Sequence, residues 1–65
     1  MTQKDTPDLK SLARRLASLH MDLEAKGDRG FDWSHARTLE DRIGAGQYLS
    51  FDIVDAQQLL DRYGF

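Results

Sequence analysis

Residues 7–26 read PDLKSLARRLASLHMDLEAK and carry a leucine at every third or fourth position. These leucines are Leu9, Leu12, Leu16, Leu19 and Leu23. Their successive spacings of 3, 4, 3 and 4 residues place all five side chains on one stripe of an α-helix. We therefore predict a helix over about residues 7–26 and take its leucine stripe as the feature that organises the fold.

The ends of this helix carry residue types that start and stop helices. Thr6 suits the N-cap, because its hydroxyl can accept a hydrogen bond from a free amide of the first turn. Pro7 suits the first helical position, where no amide donor is needed. Asp8 adds negative charge at the positive end of the helix dipole, and Gly27 is a natural stop. Residues 1–5 precede these signals and are predicted to be a flexible tail.

A second, shorter helix is predicted beyond the glycine-containing turn at residues 27–30. Ala36, Leu39 and Ile43 recur at helical spacing, and glycines follow them. The candidate N-caps ahead of these residues are Asp32 and Ser34. We place this helix over about residues 33–43.

Residues 48–54 are compatible with two kinds of secondary structure. Leu49, Phe51 and Ile53 alternate with polar residues, as in a half-buried strand. The same stretch can also open a helix, in which Leu49 and Val54 form a hydrophobic staple. The candidate caps for that helix are Ser50 and Asp52.

A third helix is the better interpretation of this region. Apolar residues continue downstream at helical spacing, at Ile53, Ala56, Leu60 and Tyr63. A lone strand would have no partner within the chain. We therefore predict a helix over about residues 51–63, and the strand remains an alternative that requires a second subunit. The expected fold is all-α, a three-helix bundle formed by a single domain over residues 1–65.

The size of the chain limits how it can be stabilised. A chain of 65 residues buries only about 60% of the surface that its unfolded form exposes. It contains no cysteine, which excludes disulfides and thiolate zinc sites. Stability must therefore come from well-packed helices or from another chain. The leucine stripe fits an intramolecular core or, with its heptad spacing, the seam of a homodimer, and both can hold together if the helix packs its own chain on one flank and a second copy on the other.

No catalytic, cofactor or metal site is predicted. His20 with Glu24, and His35 near Asp32, are pairs of polar side chains, whereas a metal site needs three or four converging ligands. The chain has neither a nucleophile elbow nor a phosphate-binding loop. Neither a signal peptide nor the roughly 20-residue apolar run of a membrane span is visible, so we expect a cytoplasmic protein without membrane contact.

Charge gives little support to nucleic-acid binding. The net charge is −2, and the third helix carries three carboxylates that DNA would repel. These carboxylates are Asp52, Asp55 and Asp61. The one basic patch is Lys10, Arg14 and Arg15, of which Lys10 and Arg14 are neighbours on a helix surface.

These exclusions favour protein binding. Aromatic side chains dominate binding hot spots, so Trp33 and Phe65 are candidate anchors. Asp55 and Asp61 give the third helix an acidic face that suits a basic partner. We therefore expect a non-enzymatic, self-associating interaction module that acts as an accessory, regulator or inhibitor of a larger protein. The alternative is a small dimeric DNA-binding regulator that uses the Lys10–Arg15 patch.

Overall fold

The computed structural model describes residues 8–65, which form three α-helices joined by short turns. The helices are α1 (Leu9–Ala25), α2 (Phe31–Ala45) and α3 (Ser50–Tyr63). α2 folds back along α1, and an ion pair between Arg42 and Asp52 joins the end of α2 to the start of α3. The predicted all-α three-helix bundle is confirmed.

The start of α1 is capped by Asp8. Its Oδ1 accepts hydrogen bonds from the amides of Lys10 at 3.1 Å and Ser11 at 3.3 Å. These bonds satisfy amides of the first turn that have no partner within the helix. The cap expected at Thr6, the helical start expected at Pro7 and the tail expected over residues 1–5 lie outside the described residues.

α2 is longer at both ends than the sequence predicts, because its caps lie elsewhere. Neither Asp32 nor Ser34 is the N-cap; Gly30 holds that position in an extended conformation. Asp28 turns the chain just before it by accepting the Gly30 amide at 3.2 Å. At the other end, the stop is Gly46, whose φ of +74° is accessible to glycine at little cost.

α3 confirms the helix predicted over about residues 51–63 and excludes the alternative of a strand at residues 48–54. The helix begins at Ser50, with Leu49 as the N-cap, so neither Ser50 nor Asp52 is the cap residue itself. The Asp52 carboxylate nevertheless reaches back and accepts the Leu49 amide at 2.9 Å. This is one half of a capping box, since a leucine side chain has no acceptor to complete the other half.

The expected hydrophobic staple between Leu49 and Val54 does not form, because both side chains are exposed. The staple positions flank the cap, one residue before it and four residues inside the helix. Tyr48 and Ile53 occupy these positions, and both pack against the core. The apolar residues at the staple positions are therefore one residue nearer the N-terminus than the expected pair.

The core is built around the leucine stripe of α1. Its buried members are Leu12, Leu16, Leu19, Leu23, Ala36, Leu39, Ile43, Ala56, Leu59 and Leu60. The last four leucines of the stripe are at most 3% exposed within a single chain, and Leu9 packs beside them. The interpretation of this stripe as a dimer seam is therefore wrong, since its side chains are covered by the chain itself.

No helix within residues 8–65 has both the length and the apolar character that crossing a membrane requires.

Candidate interaction surface

Three large apolar side chains lie exposed at the start of α3. Leu49 is 57% exposed, Phe51 is 55% exposed and Val54 is 49% exposed. Phe51 and Val54 are three residues apart and so are neighbours on the helix surface, while Leu49 immediately precedes the helix. We call Leu49, Phe51 and Val54 the α3 apolar patch. Clustered apolar exposure of this kind marks interaction sites more often than isolated apolar residues do.

The outward position of the patch follows from the helical period. The inner face of α3 is formed by Asp52, Ala56, Leu59 and Leu60, at spacings of 4, 3 and 1 residues. At about 100° per residue, Val54 lies on the side of the helix opposite this face, and Phe51 lies between the two sides. The core is already filled by the inner face, so these two side chains are left on the surface.

Asp52 takes an inward position that an apolar residue would ordinarily hold. The residue is 2% exposed, and its carboxylate contacts Arg42 Nη1 at 3.1 and 3.4 Å. The Leu49 amide adds a third hydrogen bond. A buried charge is tolerated when it is paired and hydrogen-bonded in this way. Asp52 therefore belongs to the fold and not to the acidic outer face predicted for the third helix.

The remaining two acidic residues of α3 do lie outside the core. Asp61 is exposed and Asp55 is half-buried. Within the described part of the chain, neither forms an ion pair with a basic side chain. By contrast, Arg62 binds Asp32 Oδ1 at 3.0 Å. Asp55 and Asp61 therefore give the outer side of α3 a net negative charge.

Trp33, a predicted anchor, is covered by its own chain. The indole packs against the core and is only partly exposed. The guanidinium carbons of Arg37 and Arg29 lie 5.3 and 5.8 Å from the ring centroid, within the range of cation–π contacts. Little of the ring is left for a partner, and the structure does not bring Trp33 together with the α3 apolar patch.

The most exposed large apolar side chain among the described residues is Phe31, which is 77% exposed. Its ring lies beside that of His35, with 5.2 Å between centroids. Phe31 precedes Asp32, which binds the end of α3. It therefore lies near the opposite end of that helix from the patch, and it offers a natural control position for experiments on Phe51.

Phe65, the other predicted anchor, is 37% exposed, and its main chain is held by α1. The Phe65 carbonyl oxygen accepts a hydrogen bond from Arg15 Nε at 2.7 Å. This contact divides the predicted basic patch, because Arg15 is directed to the end of the chain. Lys10 and Arg14 remain exposed on one face of α1.

A cluster of hydrogen bonds joins the start of α2 to the end of α3. The Tyr63 hydroxyl donates to Asp32 Oδ2, and Arg62 Nη1 donates to Oδ1. The hydrogen bond from Tyr63, together with Arg62, holds the pKa of Asp32 below its ordinary value of 3.8. The same hydrogen bond raises the pKa of Tyr63 above 10.0, because ionised Tyr63 could no longer donate to the carboxylate.

His20 has a different neighbour from the one that the sequence suggests. His20 Nε2 lies 2.7 Å from Glu40 Oε1 on α2, whereas Glu24 pairs with Arg29 at 3.5 Å. His20 therefore pairs across to α2 and not with Glu24, which lies four residues further along α1. Over residues 8–65, no group of three or more histidine and carboxylate side chains converges as a metal ion requires.

None of the three residues of the α3 apolar patch was predicted to form a binding surface. Leu49 and Val54 were expected to form a hydrophobic staple, and Phe51 was part of the alternating pattern that fits either a strand or a helix. The signal that could have identified them is a surplus of apolar residues, since one face of a 14-residue helix cannot hold Phe51 and Val54 together with Leu59 and Leu60.

Comparisons of the chain with protein-family models, with curated proteins and with solved structures found no match.

Proposed function

We propose that this chain is a non-enzymatic protein-interaction module that acts as a small accessory, regulator or inhibitor of a larger partner. The observation that carries the proposal is the α3 apolar patch. Its three side chains are each about half exposed, although the chain has a complete core of its own. Covering apolar surface stabilises a complex by about 25 cal/mol for each Å² removed from water. A partner that covers the patch would gain this energy without disturbing the fold.

The charges beside the patch favour a basic partner. Asp55 and Asp61 lie on the same helix, outside its core-facing side. A partner with lysine or arginine at matching positions would be attracted to this face and oriented on it. The same carboxylates repel nucleic acid and anionic lipid surfaces.

The alternative of a DNA-binding regulator loses support. It rests on Lys10, Arg14 and Arg15 acting together, and Arg15 is hydrogen-bonded to Phe65. Two exposed basic side chains are few for binding that depends on neutralising phosphates. Self-association remains part of the proposal, and with the leucine stripe buried it must use an outer face.

The test compares two exposed phenylalanines. Immobilised wild-type chain is exposed to an extract of its source cells, and retained proteins are quantified by mass spectrometry. We expect a set of proteins that is retained by the wild type and by Phe31→Ser but lost from Phe51→Ser, with helical circular dichroism unchanged in both variants. If all three proteins retain the same set, the α3 apolar patch is not a binding surface.

A further inference from the structure

The outer side of α1 carries a second exposed stripe. Lys10, Arg14 and Met21 are exposed and Ala17 is half-buried, at spacings of 4, 3 and 4 residues that share one helix face. We call these four residues the α1 outer stripe.

The acidic side chains near the α1 outer stripe have other partners. Asp8 caps the helix, Asp22 binds Lys26, and Glu24 binds Arg29. Within residues 8–65 no carboxylate pairs with Lys10 or Arg14.

The outer side of α3 has the complementary order of side chains. Its N-terminal part holds Phe51 and Val54, and the carboxylates of Asp55 and Asp61 follow. We call these four residues the α3 outer face. The α1 outer stripe runs from basic to apolar along the chain, whereas the α3 outer face runs from apolar to acidic. The two sequences of side chains therefore match when the helices are antiparallel.

The lengths of the two surfaces also match. At about 1.5 Å per residue, Lys10 and Met21 are about 16.5 Å apart along α1, and Phe51 and Asp61 are about 15 Å apart along α3. An antiparallel alignment places Lys10 opposite Asp61 and Met21 opposite Phe51.

The inner positions of this alignment agree as well. Ala17 and Val54 each lie about 10.5 Å from the Lys10–Asp61 end, so they face each other. Arg14 lies about 6 Å from that end and Asp55 about 9 Å, a difference that an arginine side chain can span. A parallel alignment would instead set Lys10 beside Phe51 and leave the carboxylates without partners.

We propose that the α1 outer stripe of one copy docks, antiparallel, on the α3 outer face of a second copy. This inference rests on the proposed function, because it uses the α3 apolar patch as the binding surface and assigns it an occupant. Thioether–aromatic contact between Met21 and Phe51 supplements the burial of apolar surface. Pairing of two α3 outer faces is disfavoured. A parallel arrangement would bring the Asp55 and Asp61 carboxylates of both copies together, and an antiparallel one would set Asp61 opposite Phe51.

The contact joins two different surfaces of the same chain. Each copy keeps one unused α1 outer stripe or α3 outer face after pairing, so assembly continues beyond a dimer unless a ring closes. Its strength is modest, because exposed ion pairs stabilise little and are screened by salt. The assembly is therefore expected at high protein concentration and low ionic strength.

Sedimentation equilibrium of the full chain tests the stoichiometry. We expect the weight-average mass to rise with concentration between micromolar and millimolar and to fall when salt is raised to about 1 M, where the screening length is about 3 Å. A mass above that of a dimer indicates an open chain or a larger ring, and a plateau at the dimer mass indicates two copies that dock on each other. A monomer at every concentration would overturn the head-to-tail contact.

Charge reversal tests which side chains meet. Lys10→Glu with Arg14→Glu, or Asp55→Lys with Asp61→Lys, should each raise the concentration needed for half-assembly by about tenfold or more, since like charges then face each other. An equimolar mixture of the two variants should assemble again, because each acidic α1 then faces a basic α3. Phe51→Ser should weaken that assembly, while Phe31→Ser should not. A mixture that stays monomeric, or that assembles equally well with Phe51→Ser, contradicts the alignment.

Cysteine cross-linking tests the register directly. The chain has no cysteine, so Ala17→Cys in one copy and Val54→Cys in another can form only the intended mixed disulfide or homodimers. We expect the mixed disulfide to form faster than that between Ala17→Cys and Phe31→Cys. Equal rates would overturn the register. If the chain neither assembles nor cross-links while Phe51→Ser still loses cellular proteins, this inference fails and the proposed function stands.

Discussion

α1 and the first turn of α3 distribute polar and apolar side chains in opposite ways. In α1, four of the five leucines are buried and the charged side chains face outward. At the start of α3, the carboxylate of Asp52 is buried while Phe51 and Val54 are exposed. Both segments are helical, so the secondary structure does not cause the difference.

The difference lies in what the side chains of each segment contact within the chain. The periodicity of α1 is fully explained by packing within the chain, because its apolar stripe and the core coincide. At the start of α3, a buried carboxylate binds the Leu49 amide and Arg42. The large apolar side chains beside it lie outside the core and are about half exposed. A departure from the apolar-inside pattern next to an intact core is what an external contact surface would produce.

The largest effect is expected at the centre of the α1 stripe. Leu16 is completely buried, and Leu16→Ala should lower the free energy of unfolding by about 2–5 kcal/mol through lost burial and the cavity left behind. Because small domains hold only about 5–15 kcal/mol in total, chemical denaturation should show a variant that is strongly destabilised or unfolded. A loss below about 1 kcal/mol would contradict the assignment of the stripe to the core.

A smaller but clear effect is expected at the buried carboxylate of α3. Asp52→Ala leaves the Leu49 amide without its acceptor and should cost about 1–3 kcal/mol of unfolding free energy. Asp61→Ala, on the exposed side of the same helix, is the matched control and should change stability by less than about 0.5 kcal/mol. Equal effects in urea denaturation would remove the contrast between the two sides of α3.

The pH dependence of stability should reveal the contact of Asp32 with Tyr63. The pKa of Asp32 is lowered by folding, so its contribution is present above about pH 3.8 and is lost as the pH falls through the folded value. The pKa of Tyr63 is raised, so its contribution is present below about pH 10.0 and is lost as the pH rises through the folded value.

Tyr63→Phe removes the hydroxyl. In thermal melts recorded across pH, the melting temperature of this variant should fall less steeply than that of the wild type at both the acid and the alkaline end. The loss at neutral pH should be smaller than that of Asp52→Ala, because these side chains are partly exposed. If the melting temperature of this variant falls at acid pH as steeply as that of the wild type, Tyr63 does not stabilise the Asp32 carboxylate.

The smallest effect on folding is expected at Phe51. Phe51→Ser removes a side chain that is already half exposed, so unfolding free energy should change by about 1 kcal/mol or less. The same substitution should abolish binding through the α3 apolar patch. A loss comparable to that of Leu16→Ala would mean that Phe51 serves the core, and the contrast between α1 and the start of α3 would disappear.

The sequence predicted those parts of the fold that depend on local periodicity. The leucines of α1 identify a helix and its buried face, and the number and order of the three helices follow. The helix starts were predicted less well, since Asp32 and Ser34 have the chemistry of N-caps but Gly30 takes that position. The competing contact of Asp32 with Tyr63 lies 31 residues away in sequence and leaves no local signal.

The candidate surface was predicted only in part. Asp55 and Asp61 are placed outside the core by helical spacing, as expected. The surroundings of Trp33 and Phe65 were not predicted. Arg37 covers the Trp33 ring and Arg15 binds the Phe65 carbonyl, and sequence spacing does not reveal either contact. The inward position of Asp52 and the outward position of Phe51 also run against the usual preferences of these residue types.

At the start of α3 a buried residue lies between exposed ones, and this order affects how the sequence of the protein can change during evolution. Asp52 is buried and stabilises the fold. Phe51 and Val54, one residue before it and two residues after it, are exposed and do not belong to the core. Substitutions at these two positions can therefore accumulate with little penalty to the fold and alter the shape offered to a binding partner. Related chains should keep an acidic side chain at position 52 and vary at 51 and 54 together with whatever they bind, so that recognition changes while the bundle is inherited intact.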